Sequence, residues 1–514
     1  MVKKNFLESI YLILLGVVSA FSLPPYNYFL LNFITFSLFF VFLYKERINN
    51  NKKLIFFKYG WLFGFGYFLS GLYWVSIALT FDENFKFLIP ISLIAVPSFL
   101  AIFYAMVTLF YSIFFSKKIL ISFLIFTALF GTVEFIRGSI FTGFPWNLIV
   151  FSLSKNILFL QILSIIGTYS LNLICITLFT LPALLILKKS KKNILLFTFF
   201  IVIALSFLIF GKIKIDQFNS KKINKLNYSI RVISSNIDLD RFYLKKNEIE
   251  IISELIKISN PKMNNPTIFL WPEGVVTETY LDDIKIYKDI FSKNFSKNHL
   301  IILGGNTFDD KDDKNLYFNS LGVFDNNLNL INKYNKINLV PFGEFLPLEI
   351  FLNMFGLKTI TNNYESFTSG KSRKLIKIKN NKFQLNLLPL ICYEIIYSGK
   401  LFKNSNFDYI INISEDGWFG KSIGPKQHFA HSIFRSIESG KYIFRSANNG
   451  ISAIINPIGK TDKNILQDKA GYIDFNESKS IEMTLFAKYG NKIFIFLILL
   501  YIFLIFSFNK IKNE

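Results

Sequence analysis

The sequence predicts a multi-pass helical membrane protein that carries a soluble α/β domain. Apolar residues are concentrated before about Phe210 and after Lys492, whereas the stretch between them is mixed in character. Hydrophobic residues make up 52% of the chain, and their concentration in these two regions is typical of membrane-spanning helices. Short basic segments separate the apolar stretches. Because 514 residues are too many for one domain, a membrane part with a soluble insert is expected.

The apolar stretches predict eight membrane spans. A helix needs about 20 mostly apolar residues to cross a bilayer. The candidate stretches are roughly residues 6–23, 28–44, 60–80, 88–115, 119–137, 159–187, 193–211 and 492–508. We therefore expect a seven-span domain at residues 1–212, a soluble domain at 228–488 and an eighth span at 491–509.

The loops between the spans predict the orientation. Successive loops lie on alternate sides of the membrane, which gives two sets of loops. The short loops of one set hold only Lys86, Arg137 and Lys155, whereas the loops of the other set and the two termini are rich in basic residues. These are Lys3, Lys4, Lys45, Arg47, Lys52, Lys53, Lys58, Lys117, Lys118, Lys188, Lys189, Lys191, Lys192, Lys510 and Lys512. Basic loops stay in the cytoplasm. Both termini are therefore predicted inside, with the soluble domain outside.

The membrane part contains a run of small residues, a pair of ionisable residues and a loop tryptophan. The small residues of Gly60–Gly71 let helices approach closely. Glu134 and Arg137 lie three residues apart near the outer end of the fifth span, where ionisable groups are usually paired or functional. Trp146 lies in the following outer loop, Thr142–Asn147, and belongs either to the interfacial aromatic belt or to a lipid contact.

Composition excludes several classes of protein. The formal net charge is +22, but the lysines are scattered and no basic motif or RNA-binding signature is present, so no nucleic-acid partner is expected. Two cysteines, Cys175 and Cys392, are too few for a disulfide framework. Cys175 lies within an apolar span, where packing explains it. No small-residue cleavage site follows the first apolar stretch, which predicts a retained helix and not a signal peptide.

From about Tyr228 to Met483, short apolar strands alternate with helices and turns. This alternation predicts a layered α/β domain. The predicted strands are Ser229–Ile237, Thr267–Trp271, Leu300–Leu303, Leu316–Phe324, Phe383–Ile391, Tyr409–Ile413 and Ile451–Ile455. The predicted helices are Glu248–Ser259 and Tyr280–Phe291.

Four clusters in this stretch together contain what thiol acyl transfer needs. Glu273 follows one strand, Lys336 and Glu344 flank a Pro/Gly turn, Cys392-Tyr393-Glu394 ends an apolar strand, and Asn412–Gly420 forms the fourth cluster. A thiol is mostly protonated at neutral pH and needs a base or a nearby cation. Glu273 is the candidate base for Cys392, and Lys336 is the candidate to lower the thiol pKa and stabilise an oxyanion.

Histidine and metal chemistry fit the sequence less well. His428 and His431 are three residues apart, which favours a helix face over a Cys–His dyad. The domain also has too few cysteines and histidines for a zinc site. We therefore expect neither a metal nor a cofactor.

These residues resemble the nitrilase superfamily and, more closely, the apolipoprotein N-acyltransferase family. The resemblance covers nearly the whole chain. Its motifs are Tyr334–Lys336, Leu339–Glu344, Cys392–Glu394, Asp416–Gly420 and Gln427-His428 in the outer domain, with Gly71–Trp74, Glu134, Arg137 and Gly143–Asn147 in the membrane part.

The resemblance implies a nitrilase-like αββα sandwich with a Glu–Lys–Cys triad of Glu273, Lys336 and Cys392. It implies a bacterial inner-membrane enzyme with a periplasmic catalytic domain. Cys392 would take an acyl chain from a phospholipid as a thioester and pass it to the N-terminal amine of an S-diacylglyceryl-cysteine on an apolipoprotein. Glu344 would assist the triad, and Tyr393 and Glu394 would hold the loop.

The sequence departs from the family pattern at two points. Tyr243 replaces an aromatic residue that matters in the family, and Glu415 stands where asparagine is usual. Tyr243, Trp146 and Trp418 are the candidate lipid or substrate contacts. Trp418 is equally well explained by core packing.

Two other functions stay open at this point. A membrane-tethered amidase or nitrilase that hydrolyses a small amide would use the same triad, although its spans would then have no chemical purpose. A transporter with an inert outer domain is the third hypothesis. Against it, the spans lack the multiple charges of an ion-coupled carrier.

Overall fold

The computed structural model describes residues 2–243, 247–311, 314–347, 349, 354, 365–401 and 406–510. Over these residues the chain forms a helical region as far as Asn219, then an α/β domain, then a C-terminal helix. Lys512, one of the basic residues behind the predicted orientation, lies outside the described ranges.

The helical region is built from apolar helices that match the predicted stretches. They are α1 (Val2–Ala20), α2 (Leu30–Asn49), α3 (Ile55–Leu72), α4 (Ile89–Phe114), α5 (Ile119–Arg137), α6 (Ile157–Leu160), α7 (Leu163–Thr180), α8 (Pro182–Leu187) and α9 (Lys191–Asn219). A further helix follows the α/β domain at Lys492–Lys510.

Among the described residues, six segments are long and apolar enough to cross a membrane. They are Ile55–Thr80, Glu83–Phe114, Ile119–Arg137, Leu163–Leu187, Lys191–Asn219 and Lys492–Lys510. The first predicted span corresponds to a shorter apolar helix, Asn5–Ala20. The second corresponds to α2, which ends in charged residues and is not among the six. The total of eight spans therefore stays a prediction.

Glycines on α3 allow close helix packing. A Cβ on Gly60 would lie 2.3 Å from the carbonyl oxygen of Tyr104 on α4, and one on Gly66 would lie 2.2 Å from the carbonyl oxygen of Ile13 on α1. No side chain fits at such distances, so both contacts require glycine. The expected close approach of helices at these small residues is confirmed.

The α/β domain contains two six-stranded sheets over the described ranges. The strands are β1 (Asn224–Ser234), β2 (Thr267–Leu270), β3 (His299–Lys311), β4 (Lys314–Phe324), β5 (Leu330–Asn335), β6 (Ile376–Lys379), β7 (Gln384–Ile391), β8 (Tyr409–Glu415), β9 (Ile443–Asn448), β10 (Ser452–Ile455), β11 (Thr461–Ile465) and β12 (Gly471–Ser478). The first sheet has the order β12-β1-β2-β3-β4-β5 and the second β11-β10-β9-β8-β7-β6.

Both sheets have the same arrangement of directions. Strands β1, β2 and β3 run parallel in one sheet, as β7, β8 and β9 do in the other, and the remaining neighbours are antiparallel. Parallel strands end at the same edge of their sheet. Residues that follow β2, β7 and β8 are thereby gathered along one side of the domain, where ligands bind in open α/β sheets.

Helices cover the outer faces of the two packed sheets. They are α10 (Glu248–Ser259), α11 (Lys288–Asn294) and α12 (Gly424–Ser439), whereas α13 (Leu485–Tyr489) and α14 (Lys492–Lys510) pack against α7. Strand β1 packs against β9 and β10 across the interface, and α12 packs on β9 and β10. Ile252 of α10 and Phe291 of α11 share a core with Phe269 of β2. The layers are therefore helix, sheet, sheet and helix, and the predicted fold class is confirmed.

Each of the predicted strands is found with shifted ends, and the predicted helix Glu248–Ser259 has the predicted bounds. The helix predicted from Tyr280 begins only at Ile284, as a 3-10 turn that leads into α11. The sequence prediction lacks β5, β6, β9, β11, β12 and α12. Strand β9 escapes prediction because it buries Arg445 and Asn448, and such polar side chains are not typical of a buried strand.

Candidate active site

The predicted site residues follow strand ends at one side of the sandwich. Cys392 comes directly after β7, Lys336 directly after β5, and Glu273 three residues after β2. Glu415 is the last residue of β8. Each side chain is thus positioned by a rigid strand but lies in a segment free to take an irregular conformation.

Cys392 has an unusual backbone conformation. Its φ is +45°, a left-handed value that costs a residue with a Cβ on the order of 1 kcal/mol or more. The first turn of a 3-10 helix, Cys392–Ile396, begins there. His428 Nε2 donates to the carbonyl oxygen of Cys392 at 3.3 Å, and Asn412 Nδ2 donates to that of Leu390 at 3.2 Å. These bonds hold the strained turn that presents the thiol.

Lys336 lies between two carboxylates. Its Nζ donates to Glu344 Oε1 at 2.8 Å and to Glu273 Oε1 at 3.3 Å, and its side chain is 1% exposed. Asn319 of β4 donates to the same two oxygens, at 2.7 Å each. Four buried polar side chains therefore form one hydrogen-bonded cluster, which Glu344 ties to the Pro/Gly turn by accepting from Val340 N at 2.8 Å.

The charges of this cluster act on Cys392. Burial disfavours the thiolate and raises the pKa of Cys392 well above its ordinary value; Glu273 adds to this and Lys336 opposes it. Burial also disfavours the ammonium of Lys336, but Glu273 and Glu344 outweigh it, and the pKa of Lys336 is raised. The resting centre is thus a neutral thiol beside a permanent cation and carboxylate acceptors. Such a thiol must lose its proton during attack, which requires a base.

Glu394 connects the Cys392 turn to the segment after Lys336. Its carboxylate is fully buried and accepts from the backbone N–H groups of Ile391 at 2.9 Å and Ile337 at 3.0 Å. Tyr334 OH donates to it at 2.8 Å and Arg373 NH2 at 2.9 Å. Burial alone would raise the pKa of Glu394, but Arg373 beside it outweighs burial, so the pKa lies below its ordinary value.

Glu394→Gln is expected to destabilise the domain most strongly at neutral pH. Because the pKa is depressed, ionised Glu394 contributes stability above its unfolded-state pKa, and this is lost as pH falls through the folded-state value. Leaving Arg373 unpaired costs about 3 kcal/mol. The apparent thermal midpoints of the two proteins in detergent should differ at pH 7 and converge toward pH 3. Equal midpoints at pH 7 would contradict the argument.

His428 does not act on the thiol side of Cys392. Its Nδ1 contacts Asp416 Oδ1 at 2.9 Å, and Asp416 is bound by Arg445 NH2 at 2.7 Å. Burial lowers the pKa of His428, and Arg445 adds to this. His428 and His431 both lie on α12, as the spacing predicts. Within the residues described, no group of three His, Cys, Asp or Glu side chains could hold a metal ion.

The loop Thr142–Asn147 of the helical region contacts the Cys392 turn. Tyr393 OH donates to the carbonyl oxygen of Gly143 at 3.1 Å, and Tyr397 OH donates to that of Thr142 at 2.9 Å. Gln427 of α12 accepts from Trp74 Nε1 at 3.1 Å and from Trp146 Nε1 at 2.9 Å. The turn that presents the thiol is thereby joined to two segments of the helical region.

A buried ion pair holds the loop Thr142–Asn147 in shape. Arg137 NH2 contacts Glu134 Oε1 at 3.2 Å, while its NH1 donates to the carbonyl oxygens of Phe144 at 2.6 Å and Trp146 at 2.8 Å. Asn172 and Tyr104 also donate to Glu134. The two ionisable residues are therefore mutually paired, and their pairing positions the loop that meets Tyr393.

The candidate lipid contacts occupy different surroundings. Trp146 is 1% exposed and packs against Trp74, with ring centroids 5.1 Å apart. Trp418 is half-buried, with ring centroids 5.2 Å from Phe242 and 6.3 Å from Tyr243. Tyr243 and Trp418 thus belong to one aromatic cluster, while Trp146 is buried between the helical region and the α/β domain. Their roles in lipid contact stay predictions.

Sequence reasoning missed several residues of the site. Asn319, Arg373 and Arg241 each bond a carboxylate of the cluster or of a neighbouring turn. Asn319 gives a local signal, a polar residue inside the predicted strand Leu316–Phe324. Arg373 and Arg241 lie outside the predicted strands and helices, where an arginine side chain is usually exposed to solvent.

Comparison with known proteins gives two family matches. Residues 15–181 match the apolipoprotein N-acyltransferase N-terminal domain, and residues 287–473 match the carbon-nitrogen hydrolase family. The second match contains Lys336 and Cys392, and Glu273 lies before it. The two matches correspond to the helical region and the sandwich.

Whole-chain relatives agree with these matches. The apolipoprotein N-acyltransferase of Rickettsia prowazekii is 33% identical over 93% of this chain and 94% of its own. That of Rhizobium leguminosarum is 30% identical over 91% and 90%, and that of Brucella melitensis is 29% identical over 89% and 87%. Yeast Nit3, of the nitrilase superfamily, is 16% identical, covers 48% of this chain and 90% of its own, and has a TM-score of 0.33.

Proposed function

The chain belongs to the apolipoprotein N-acyltransferase family and is a membrane-embedded acyltransferase of lipoprotein maturation, and from that premise we propose which atoms carry out the transfer. The thiol of Cys392 takes a fatty acyl chain from a membrane phospholipid. The resulting thioester then passes the chain to the α-amine of an S-diacylglyceryl-cysteine at the N-terminus of an apolipoprotein. The cluster of Glu273, Lys336 and Glu344 beside the raised-pKa thiol is the observation that carries this proposal.

In the first half-reaction Cys392 attacks the ester carbonyl carbon of the phospholipid. Glu273 takes the thiol proton as the carbon–sulfur bond forms, which avoids a free buried thiolate. The carbonyl oxygen becomes an oxyanion, which the ammonium of Lys336 stabilises. The carbon–oxygen bond then breaks, Glu273 returns the proton to the departing oxygen, and a lysophospholipid leaves with its hydroxyl restored.

In the second half-reaction the acceptor amine attacks the thioester carbonyl carbon. Glu273 takes a proton from the amine nitrogen, and Lys336 again stabilises the oxyanion. The carbon–sulfur bond breaks, the proton goes to the sulfur, and an amide is released. The same three residues serve both halves because each half converts one carbonyl derivative into another through a tetrahedral intermediate.

The other predicted residues have supporting roles in this scheme. Glu344 keeps Lys336 charged and oriented through the 2.8 Å contact between them. Glu394 fixes the Cys392 turn, and Tyr393 joins that turn to the outer loop of the membrane part. We assign lipid or substrate contact to Tyr243, Trp418 and Trp146, of which the first two form the half-buried aromatic cluster.

We further propose that the protein has eight spans in the bacterial inner membrane, with both termini cytoplasmic and the catalytic domain periplasmic. The distribution of basic residues between the loops supports this orientation. Both substrates carry acyl chains that lie in lipid. Moving a chain into water would cost about 0.8 kcal/mol per CH₂, so the thiol must work at the membrane surface.

Mass spectrometry of the purified protein, mixed with phospholipid, tests the proposal. We expect a fatty acyl mass on the peptide that contains Cys392, removable by neutral hydroxylamine as a thioester is. Addition of a diacylated lipopeptide should discharge the mass and yield a triacylated product. Release of ammonia from small amides, with no acylated lipopeptide, would favour the membrane-tethered amidase instead.

A further inference from the structure

A further buried ion pair, Arg241–Glu415, lies beside the catalytic cluster. Arg241 NH2 donates to Glu415 Oε2, and the two side chains are 0% and 2% exposed. Desolvating two charges costs about as much as their attraction returns, so a buried pair adds little stability compared with apolar packing. Its burial therefore points to a role other than stability.

Arg241 joins its own segment to the turn that carries Glu273. Its Nε donates to the carbonyl oxygen of Gly274 at 2.8 Å, and its NH1 donates to that of Asp238 at 2.8 Å. The guanidinium lies 4.5 Å from the ring centroid of Phe242. One side chain thus fixes the residue after Glu273 and one ring of the aromatic cluster.

Glu415 contacts Glu273 from the other direction. Its backbone N–H donates to Glu273 Oε2 at 2.9 Å. Its side chain accepts from Gly417 N at 2.9 Å and from Asn448 Nδ2 at 2.8 Å. Gly417 precedes Trp418, so the carboxylate also orients the turn that carries the second ring of the cluster.

We propose that Arg241 and Glu415 form a positioning pair, which orients the carboxylate of Glu273 and holds Phe242 and Trp418 together through one buried charge contact. The inference rests on the proposed role of Glu273 as the base. Three segments that are far apart in the chain meet at this pair: residues 237–243, the Glu273–Gly274 turn and residues 415–418.

The ionisation of Glu415 supports the proposal. Burial raises its pKa to about 7, although Arg241 and the bonds from Asn448 and Gly417 oppose the shift. The charged groups around it are Arg241 from one side and Glu273, bonded to its backbone, from the other. Asp416 next to it is occupied by Arg445 and His428.

Stability and activity should respond to this ionisation in opposite senses. Because the folded-state pKa is raised, the contribution of Glu415 to stability is full below its unfolded-state pKa and is lost as pH rises through about 7. The ion pair that orients Glu273 exists only above that range. The rate of Cys392 acylation should therefore rise through pH 7 while this contribution to stability falls.

A double-mutant cycle tests the pair. Arg241→Leu and Glu415→Asn are each expected to lower the single-turnover rate of Cys392 acylation, measured at saturating phospholipid, by about 10- to 100-fold. The double variant should be no slower than either single variant, because both remove the same contact. Arg241→Lys keeps the charge and should retain more of the rate.

Glu415→Gln removes the charge of the carboxylate and keeps the size of the side chain. The acylation rate of this variant should no longer rise with pH near pH 7. Arg231→Leu is the matched control. Arg231 also pairs with a carboxylate, Asp474 at 2.7 Å, and bonds backbone carbonyls of Ser259 and Asn260. That variant should lower the thermal midpoint and leave the acylation rate unchanged.

The possible outcomes are distinct. If the two single variants acylate within twofold of the wild type, or if their effects multiply in the double variant, the pair has no positioning role. A fall in thermal midpoint with an unchanged rate and pH profile would likewise overturn the inference, because only a structural role would remain. Absence of acylation in the wild type would overturn the proposed function itself.

Discussion

Cys392→Ala is expected to abolish both acylation of the enzyme and transfer of the acyl chain to the lipopeptide. Removal of the nucleophile leaves Glu273 without a proton to take and Lys336 without an oxyanion to stabilise. The expected loss is on the order of 10⁴-fold or more, because residues of a catalytic unit lose their effect together. Loss of the hydroxylamine-sensitive mass and of the triacylated product measures it.

Cys175→Ala is the matched control for that variant. Cys175 is the other cysteine of the chain and is fully buried on α7. Its replacement should leave the acyl mass on the Cys392 peptide unchanged. Full biological activity in Cys392→Ala would contradict the proposed nucleophile and favour a transporter with an inert outer domain.

Glu273→Gln is expected to lower the acylation rate by about 10²- to 10⁴-fold, the usual contribution of a positioned general base. The amide keeps the size of the side chain but cannot take the proton. Burial and Glu273 itself raise the pKa of the Cys392 thiol, so few molecules carry a spontaneous thiolate at neutral pH. The acylation rate, followed by quenched-flow mass spectrometry, measures the loss.

The pH dependence of the same variant provides an independent check. Without the base, attack requires prior ionisation of the thiol by solvent, so the residual rate should rise continuously with pH. The wild-type rate does not depend on prior ionisation of the thiol, so it should level off above the rise near pH 7. A normal acylation rate in Glu273→Gln would show that another group is the base. Lys336→Met is expected to lose about 10²- to 10³-fold at every pH, as removal of an oxyanion stabiliser does.

The junction between the helical region and the sandwich fixes the position of the Cys392 turn relative to the helices. Tyr393 and Tyr397 bond the loop that Arg137 orders, and Gln427 bonds Trp74 and Trp146. Both sides of the junction are buried and hydrogen-bonded. The Cys392 turn is therefore hydrogen-bonded to the helical region as well as to its own domain.

Local patterns predicted much of this protein because their physical causes are local. Apolar stretches of helical length predict most of the helices, since burial of apolar side chains acts on each stretch separately. The run that ends at Cys392 predicts β7 for the same reason. The prediction fails at β9, where Arg445 and Asn448 are buried with partners from distant segments.

For the site, residue type and spacing were sufficient to select Glu273, Lys336 and Cys392. They were insufficient to find Asn319, which bonds two carboxylates from the middle of β4, or Arg373, which neutralises Glu394. A polar side chain acquires such a role only when the fold brings a charge to it. No window of sequence contains both members of these contacts.

By itself, the amino-acid sequence determined that the chain has a membrane part and a layered α/β domain, and it singled out three reactive side chains by their chemistry. Only the tertiary structure decided that two carboxylates share one lysine and that Arg241 and Glu415 meet behind the base. It also decided that an ion pair among the helices shapes the loop on which Tyr393 rests. Hydrophobic periodicity records local burial, whereas buried charges are set by partners from distant parts of the chain, and those partners are known only once the chain has folded.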